Sequence, residues 1–144
     1  MAITKINGGV TAPKGFLASG LNAGIKNQTK KDMAMVFSST PCAAAGVFTT
    51  NLVKAAPVKW DKEIVTTSPY VQAVVVNSGI ANACTGAEGL GYCADTAAEA
   101  AAALNIPKTA VLVASTGVIG KQLPIDKIKS GVTALSKVLG SSRE

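Results

Sequence analysis

At 144 residues, 48% of them apolar and 15% charged, the chain has the size and composition of one globular domain, which excludes disorder. It contains no histidine, which excludes within this chain a Ser-His-Asp or Cys-His relay, a His-ligated zinc and any histidine acid/base. The net charge of +6 is spread thinly, with Lys26, Lys30 and Lys31 the closest cluster, and 4% aromatics offer little to stack on bases, so no nucleic acid is expected as a partner.

The segment Met1–Gly9 has no apolar stretch of signal-peptide length, and the longest apolar runs fall far short of the ~18 residues of a membrane span. A cytoplasmic protein without a membrane partner is expected. Cys42, Cys84 and Cys93 are an odd number in no metal spacing, which reads as buried free thiols in a reducing compartment. Phe16, Phe37 and Phe48 sit in apolar contexts and read as core.

In chain order, Met33–Ser38 and Gly46–Thr50 read as strands, with Thr40-Pro41 as a turn between them. Val71–Asn77 is nearly unbroken β-branched sequence, the pattern of a strand buried on both faces, and Asn77-Ser78-Gly79 stops it. A helix opens near Thr85, where Thr85 and Glu88 have capping-box spacing, and runs to Leu104 before Asn105 and Pro107. Thr109–Ser115 is a second buried strand, ended by Thr116-Gly117. From Pro124, Ile125, Ile128, Val132, Leu135 and Leu139 recur at helical spacing, and Gly140 marks the stop. The order is a β-rich first part followed by β-α-β-α, one continuous α/β domain over residues 1–144 built as a layered α/β sandwich.

The two buried strands end alike, in Val-Val-Val-Asn-Ser-Gly and Val-Ala-Ser-Thr-Gly. A strand that runs into a small hydroxyl or amide residue and then glycine exposes backbone N–H groups at a sheet edge. An oxyanion hole needs such fixed donors, and Thr116 offers a hydroxyl and Gly117 a backbone N–H. On pattern alone, ordinary strand-to-helix turns are the better explanation of both ends. The loop Asn77–Gly86 packs two Asn, one Ser and one Thr into ten small residues, so it either binds something or satisfies itself. Gly86-Ala-Glu-Gly-Leu-Gly91 is a weak phosphate-cradle signal, because it reverses the usual glycine order and is not joined tightly to a strand. Cys84 lacks an activating base. Asp95 and Glu99, four apart, read as a solvated helix face.

Five motifs in order carry a resemblance over nearly the whole chain. They are Thr11-Ala-Pro-Lys-Gly-Phe16, then Ala45–Asn51 with Val53–Val58, Asn77–Gly86, Val113–Gly120, and Leu123-Pro-Ile-Asp-Lys127. Together the chain resembles the N-terminal part, the α chain, of the ornithine acetyltransferase (glutamate N-acetyltransferase) family of arginine biosynthesis; Ile80 departs from the family pattern. The resemblance implies a precursor that cleaves itself before a threonine, giving α and β chains. The new N-terminal threonine of the β chain is then the nucleophile and its own amine the base, which removes the need for histidine. Acetyl passes from N-acetylornithine, and in some members from acetyl-CoA, to glutamate, with no metal or organic cofactor. The resemblance implies that Thr116 and Gly117 form the oxyanion hole, and that the partner is a β chain in a heterotetramer of two α and two β chains.

The family's Asn-x-Ala-Thr cleavage site does not occur in these 144 residues. The nucleophile and most substrate-gripping residues are therefore expected outside this chain, which alone should be inactive. Two other readings remain: a non-catalytic α/β module binding a small molecule or nucleotide, and an N-terminal-nucleophile aminopeptidase or amidase of related fold. The Val53–Val58 and Ser115–Gly120 motifs favour the acetyltransferase over the latter.

Overall fold

A computed structural model describes residues 3–27 and 29–141. Four strands form one mixed sheet in the order β1 (Phe16–Leu21), β2 (Met33–Cys42), β3 (Val71–Ile80) and β4 (Val111–Val118). The first two pairings are antiparallel; β3 and β4 run parallel. Parallel neighbours need a crossover, and α2 (Gly86–Leu104) supplies it. Helices α1 (Ala56–Thr67) and α3 (Ile125–Lys137) complete a mixed α/β architecture in which all three helices share one core with the sheet.

That core lies on the odd-numbered face of the strands. Met33, Met35, Ala73, Val75, Val111 and Val113 pack against Cys93, Ala97 and Ala100 of α2 and Ile128, Val132 and Leu135 of α3. Small residues on α2 let it lie close to the sheet, so a core with few aromatics still fills. The opposite face carries Ala34, Val36, Val74, Val76, Leu112 and Ala114, all half-buried. Val71–Asn77 is thus covered on one face and not, among the described residues, on both.

The later elements match the sequence reading to within a turn, and their ends differ for physical reasons. Both parallel strands run past their expected stops, because the ladder continues in register through Gly79↔Gly117 to Ile80↔Val118. At the other end, Lys108–Ala110 forms a 3₁₀ turn instead of opening the strand. The helix expected to stop at Gly140 ends at Lys137, and Gly140 pairs with Ala18 as an isolated bridge. Thr85 precedes α2 as expected, but its hydroxyl donates to Asn82 Oδ1 (2.7 Å), so no capping box forms.

The first half departs further. Gly46–Thr50 is not a strand, since β1 and β3 already flank β2; Val47 stands fully exposed. Thr40-Pro41 lies within β2, where the pairing with β3 slips between Phe37 and Cys42, an irregularity that tolerates a residue without an N–H. Strand β1 and helix α1 are additions to the sequence reading. All three phenylalanines are half-buried, and of them Phe37 packs against the core. Among the cysteines only Cys93 is buried; Cys42 is half-buried and Cys84 exposed, and all three are free. No helix among the described residues is long and apolar enough to cross a membrane.

Candidate oxyanion site at the end of β4

Strand β4 is an edge strand, and its open side is only partly sealed. Trp60 Nε1–H donates to the Val111 carbonyl (3.0 Å), and Asp61 Oδ1 accepts from the Val113 N–H (3.0 Å). Helix α1 thus occupies the ladder positions that a further strand would take. Among the described residues, no α1 side chain bonds to β4 beyond Val113. Since Val111 and Val113 turn their backbone groups to the open edge, strand alternation turns those of Gly117 the same way. The even-numbered groups point to β3, and the Val118 carbonyl accepts from Ala81 N–H (3.0 Å) accordingly. Gly117 N–H therefore faces the open edge beyond the reach of α1.

Side chains alternate as well. Ser115 points into the helix side, where its hydroxyl donates to Asn77 Oδ1 (2.6 Å). Thr116, its neighbour, projects from the uncovered face and is exposed. The Thr116 hydroxyl and the Gly117 N–H thus meet at one corner, where the open edge and the open face join. This corner lies at the carboxyl ends of the parallel pair, the end of such sheets where ligands ordinarily bind.

Gly117 is fixed by its neighbour strand. Its φ is +136°, and a Cβ built there would lie 2.2 Å from the Gly79 carbonyl carbon and 2.6 Å from Ile80 N. The glycine is required for β3 and β4 to touch backbone to backbone, a reason unrelated to ligand access. Gly79, also at positive φ, is covered by Lys26, whose Cγ lies 2.8 Å from where a Gly79 Cβ would sit.

Lys26 belongs to a loop that Asp32 gathers. The buried Asp32 carboxylate accepts from Ala23 N–H (2.7 Å), Ile25 N–H (2.6 Å) and Lys26 N–H (2.9 Å). Burial alone pushes that carboxyl up, and the backbone donors outweigh it to hold it below the usual range. Asp61 goes the other way: burial, opposed only by the Val113 N–H, pushes it up to about 6. Cys93, buried and close to the Asp61 charge, is pushed up to about 12 and is inert.

The loop after β3 satisfies itself. Asn77 Nδ2 donates to the Ile80 carbonyl (3.1 Å), and Asn82 Nδ2 donates to the Gly89 carbonyl (2.8 Å) while Asn82 Oδ1 takes the Thr85 hydroxyl. A Cβ at Gly89 would lie 2.0 Å from Thr85 Oγ1, so that glycine serves packing and not phosphate binding. Among the described residues, no group of three or more His, Cys, Asp or Glu could hold a metal ion. Asp32, Trp60 and Asp61 were absent from the sequence reading. Asp32 had a signal in the turn-forming residues Asn22–Asn27 before it, while Asp61 looks like any helix-surface carboxylate.

Residues 17–143 match the model of the ArgJ family. The chain belongs to the ArgJ family. It is 51% identical over 128 residues to the arginine biosynthesis bifunctional protein ArgJ of Thermotoga neapolitana, covering 88% of this chain and 32% of that one. The protein of the same name from Symbiobacterium thermophilum is 53% identical over 134 residues, or 92% of this chain and 33% of that one. The chain thus spans about a third of the length of these ArgJ relatives. Its fold matches the crystal structure of ornithine acetyltransferase complexed with ornithine from Mycobacterium tuberculosis. That match has a TM-score of 0.89 at 47% identity, covering 94% of this chain and 72% of that one. The ArgJ structure from Bacillus halodurans matches with a TM-score of 0.88 at 41% identity, covering 94% and 69%.

Proposed function

We propose that this chain is the α-chain part of an ArgJ acyltransferase that moves acetyl from N-acetylornithine to glutamate, and that Thr116 and Gly117 are its oxyanion hole. The observation that carries the reading is the corner itself. Two donors, one hydroxyl and one backbone N–H, sit side by side on an edge strand, free of the sheet ladder and of α1. The rest of the enzyme, including a β chain whose N-terminal threonine is the nucleophile, packs on the uncovered face and edge in a heterotetramer of two α and two β chains. The half-buried Val36, Val74, Val76 and Leu112 on that face support this, as do Val118 and Ile119, exposed just beyond the corner.

The threonine hydroxyl attacks the acetyl carbonyl of N-acetylornithine while the threonine's own α-amine takes the hydroxyl proton. The tetrahedral oxygen gains a full negative charge, which Thr116 and Gly117 stabilise with donors that need not reorganise. Collapse expels ornithine, whose amine takes the proton, and leaves an acetyl-threonine ester. The glutamate amine then attacks that ester through the same hole. The acyl C–O bond breaks, the proton lost by the attacking amine passes by way of the threonine's α-amine to the threonine oxygen, and N-acetylglutamate leaves with the free threonine restored.

Donors that meet the oxyanion and not the ground-state carbonyl act on the chemical step. Thr116→Ala in the complete, self-cleaved and folded enzyme should lower kcat roughly 10²–10³-fold, about 3–4 kcal/mol, with KM little changed. Steady-state kinetics with N-acetylornithine and glutamate measure it. A kcat within about threefold of wild type, well under 1 kcal/mol, would remove the hydroxyl from the mechanism.

A further inference from the structure

Among the described residues nothing covers the open face and edge of the Thr116–Gly117 corner, so what this chain itself contributes to its geometry comes from the helix side. Two elements meet there: the end of β4, and the Gly79-Ile80 segment of β3 against which Gly117 is pressed. The ladder between parallel strands fixes their separation. It fixes less well the depth of either strand end relative to the helix layer, where φ turns positive at both glycines.

One side chain spans both elements. Asn77 is 5% exposed and lies in register with Ser115 on the helix side of the sheet. Its Oδ1 accepts the Ser115 hydroxyl at 2.6 Å, one residue before Thr116. Its Nδ2 donates to the Ile80 carbonyl at 3.1 Å, one residue after Gly79. A single planar amide therefore sets β4 and the Gly79-Ile80 segment at a common depth. Gly117 has no room to absorb a shift of either, because a Cβ there would already overlap Gly79 and Ile80.

We propose that Asn77 and Ser115 are positioning residues for the Thr116–Gly117 oxyanion hole, acting as a clamp from beneath the sheet. The proposal rests on the oxyanion reading given above. Neither side chain faces the corner: Thr116 projects from the opposite face of the strand from Ser115. Their effect is transmitted by the backbone. Oxyanion stabilisation depends steeply on donor placement, and a displacement of about 1 Å far from the chemistry can cost on the order of 10²-fold. Releasing one of the clamp's two bonds allows a smaller displacement and should cost on the order of tenfold in kcat.

The test uses the complete, self-cleaved enzyme and the variants Ser115→Ala, Ser115→Thr and Asn77→Asp. Ser115→Ala removes one hydroxyl at a half-buried position. It should lower kcat on the order of tenfold with KM within about twofold. Ser115→Thr keeps the hydroxyl on a β-branched residue suited to a strand and should restore kcat to within about threefold of wild type. Asn77→Asp keeps the acceptor for Ser115 but loses the donor to Ile80, so it should also lower kcat and spare KM.

The double variant of Ser115→Ala with Thr116→Ala separates the clamp from simple stability. A clamp acting through the hole loses less than the product of the single effects, because one misplaced donor is already gone. Three results overturn the proposal: Ser115→Ala lowering melting temperature while kcat stays within about twofold, kcat and KM changing together, or strictly multiplicative losses. In each of these an impaired Thr116→Ala enzyme leaves the oxyanion reading standing. An unimpaired Thr116→Ala enzyme overturns the hole and the clamp together.

Discussion

The ends of β3 and β4 carry nearly the same residues side by side, Asn77-Ser78-Gly79 against Ser115-Thr116-Gly117, and meet opposite fates. The β3 end is interior. Asn77 is buried with both amide groups bonded, Ser78 N–H reaches the Asp32 carbonyl (2.8 Å), and Lys26 lies across Gly79. The β4 end is on the edge, with Thr116 exposed and the cover of α1 ending at Val113. Like residues can thus serve as structural ties in a central strand and as free donors in an edge strand. Place in the sheet decides which, because a central strand has neighbours to consume its polar groups and an edge strand has not.

The largest test of this contrast substitutes the two glycines. Both have positive φ, so alanine at either carries about 1–3 kcal/mol of backbone strain. A Gly79→Ala methyl meets first the Lys26 Cγ, part of a flexible side chain that can move aside. A Gly117→Ala methyl meets the Gly79 carbonyl and Ile80 N, backbone that moves only if the strands part. Gly117→Ala should therefore destabilise by about 4 kcal/mol or more and Gly79→Ala by about 2 kcal/mol. Melting temperatures and soluble yields of the complete protein rank the two. A Gly79→Ala protein as damaged as Gly117→Ala would mean the strand contact is not the limiting one.

Next in size is Asp32, which holds the loop over the β3 end. Asp32→Ala strands three backbone N–H groups, though the loop is exposed enough for water to replace some of the acceptor, so about 3 kcal/mol should be lost. The Asp32 carboxyl is lowered in the folded state, so its contribution is fully present above the ordinary value of 3.8 and disappears as pH falls through the folded value. Hydrogen exchange should quicken over Ala23–Lys26 and around Ser78 well before it changes in β4. Uniform quickening through both strand ends would show that they are not separately supported.

How much of this was legible follows the same division. The β-branched run Val71–Val76, the apolar Val111–Val113 and the helical spacing of Ile128, Val132 and Leu135 announce buried elements, because burial imposes their periodicity. Strand β1, Phe-Leu-Ala-Ser-Gly-Leu, has no β-branched residue and exists because β2 lies beside it. Gly46–Thr50 has the better propensity and pairs with no strand, since β1 and β3 already flank β2. Helix α1 did have a signal, Pro57 in its first turn and Trp60 spaced four from Ile64, masked by its β-branched residues. The twin strand ends were legible as candidates, and nothing in their composition says which is central.

The smallest effect concerns Asp61, where α1 seals the lower half of the β4 edge. Its carboxyl rises from the ordinary 3.8 to about 6, through burial and against the Val113 N–H. Between those two values the folded protein holds the Asp61 proton more tightly than the unfolded chain, so the Asp61 contribution to stability falls as pH rises from about 4 to 6 and is level above. Asp61→Asn keeps an oxygen for the Val113 N–H and abolishes the titration. The variant's melting temperature should gain on wild type across that window and hold a constant lead above it. Because Asp61 is only partly buried, solvent screens its charge, and the lead should be on the order of one or two degrees. Differential scanning calorimetry at pH 4, 5, 6 and 7 measures it. Parallel curves would mean that the carboxylate is as well solvated in the fold as outside it, and that the β4 edge is open along its whole length, not only beyond Val113.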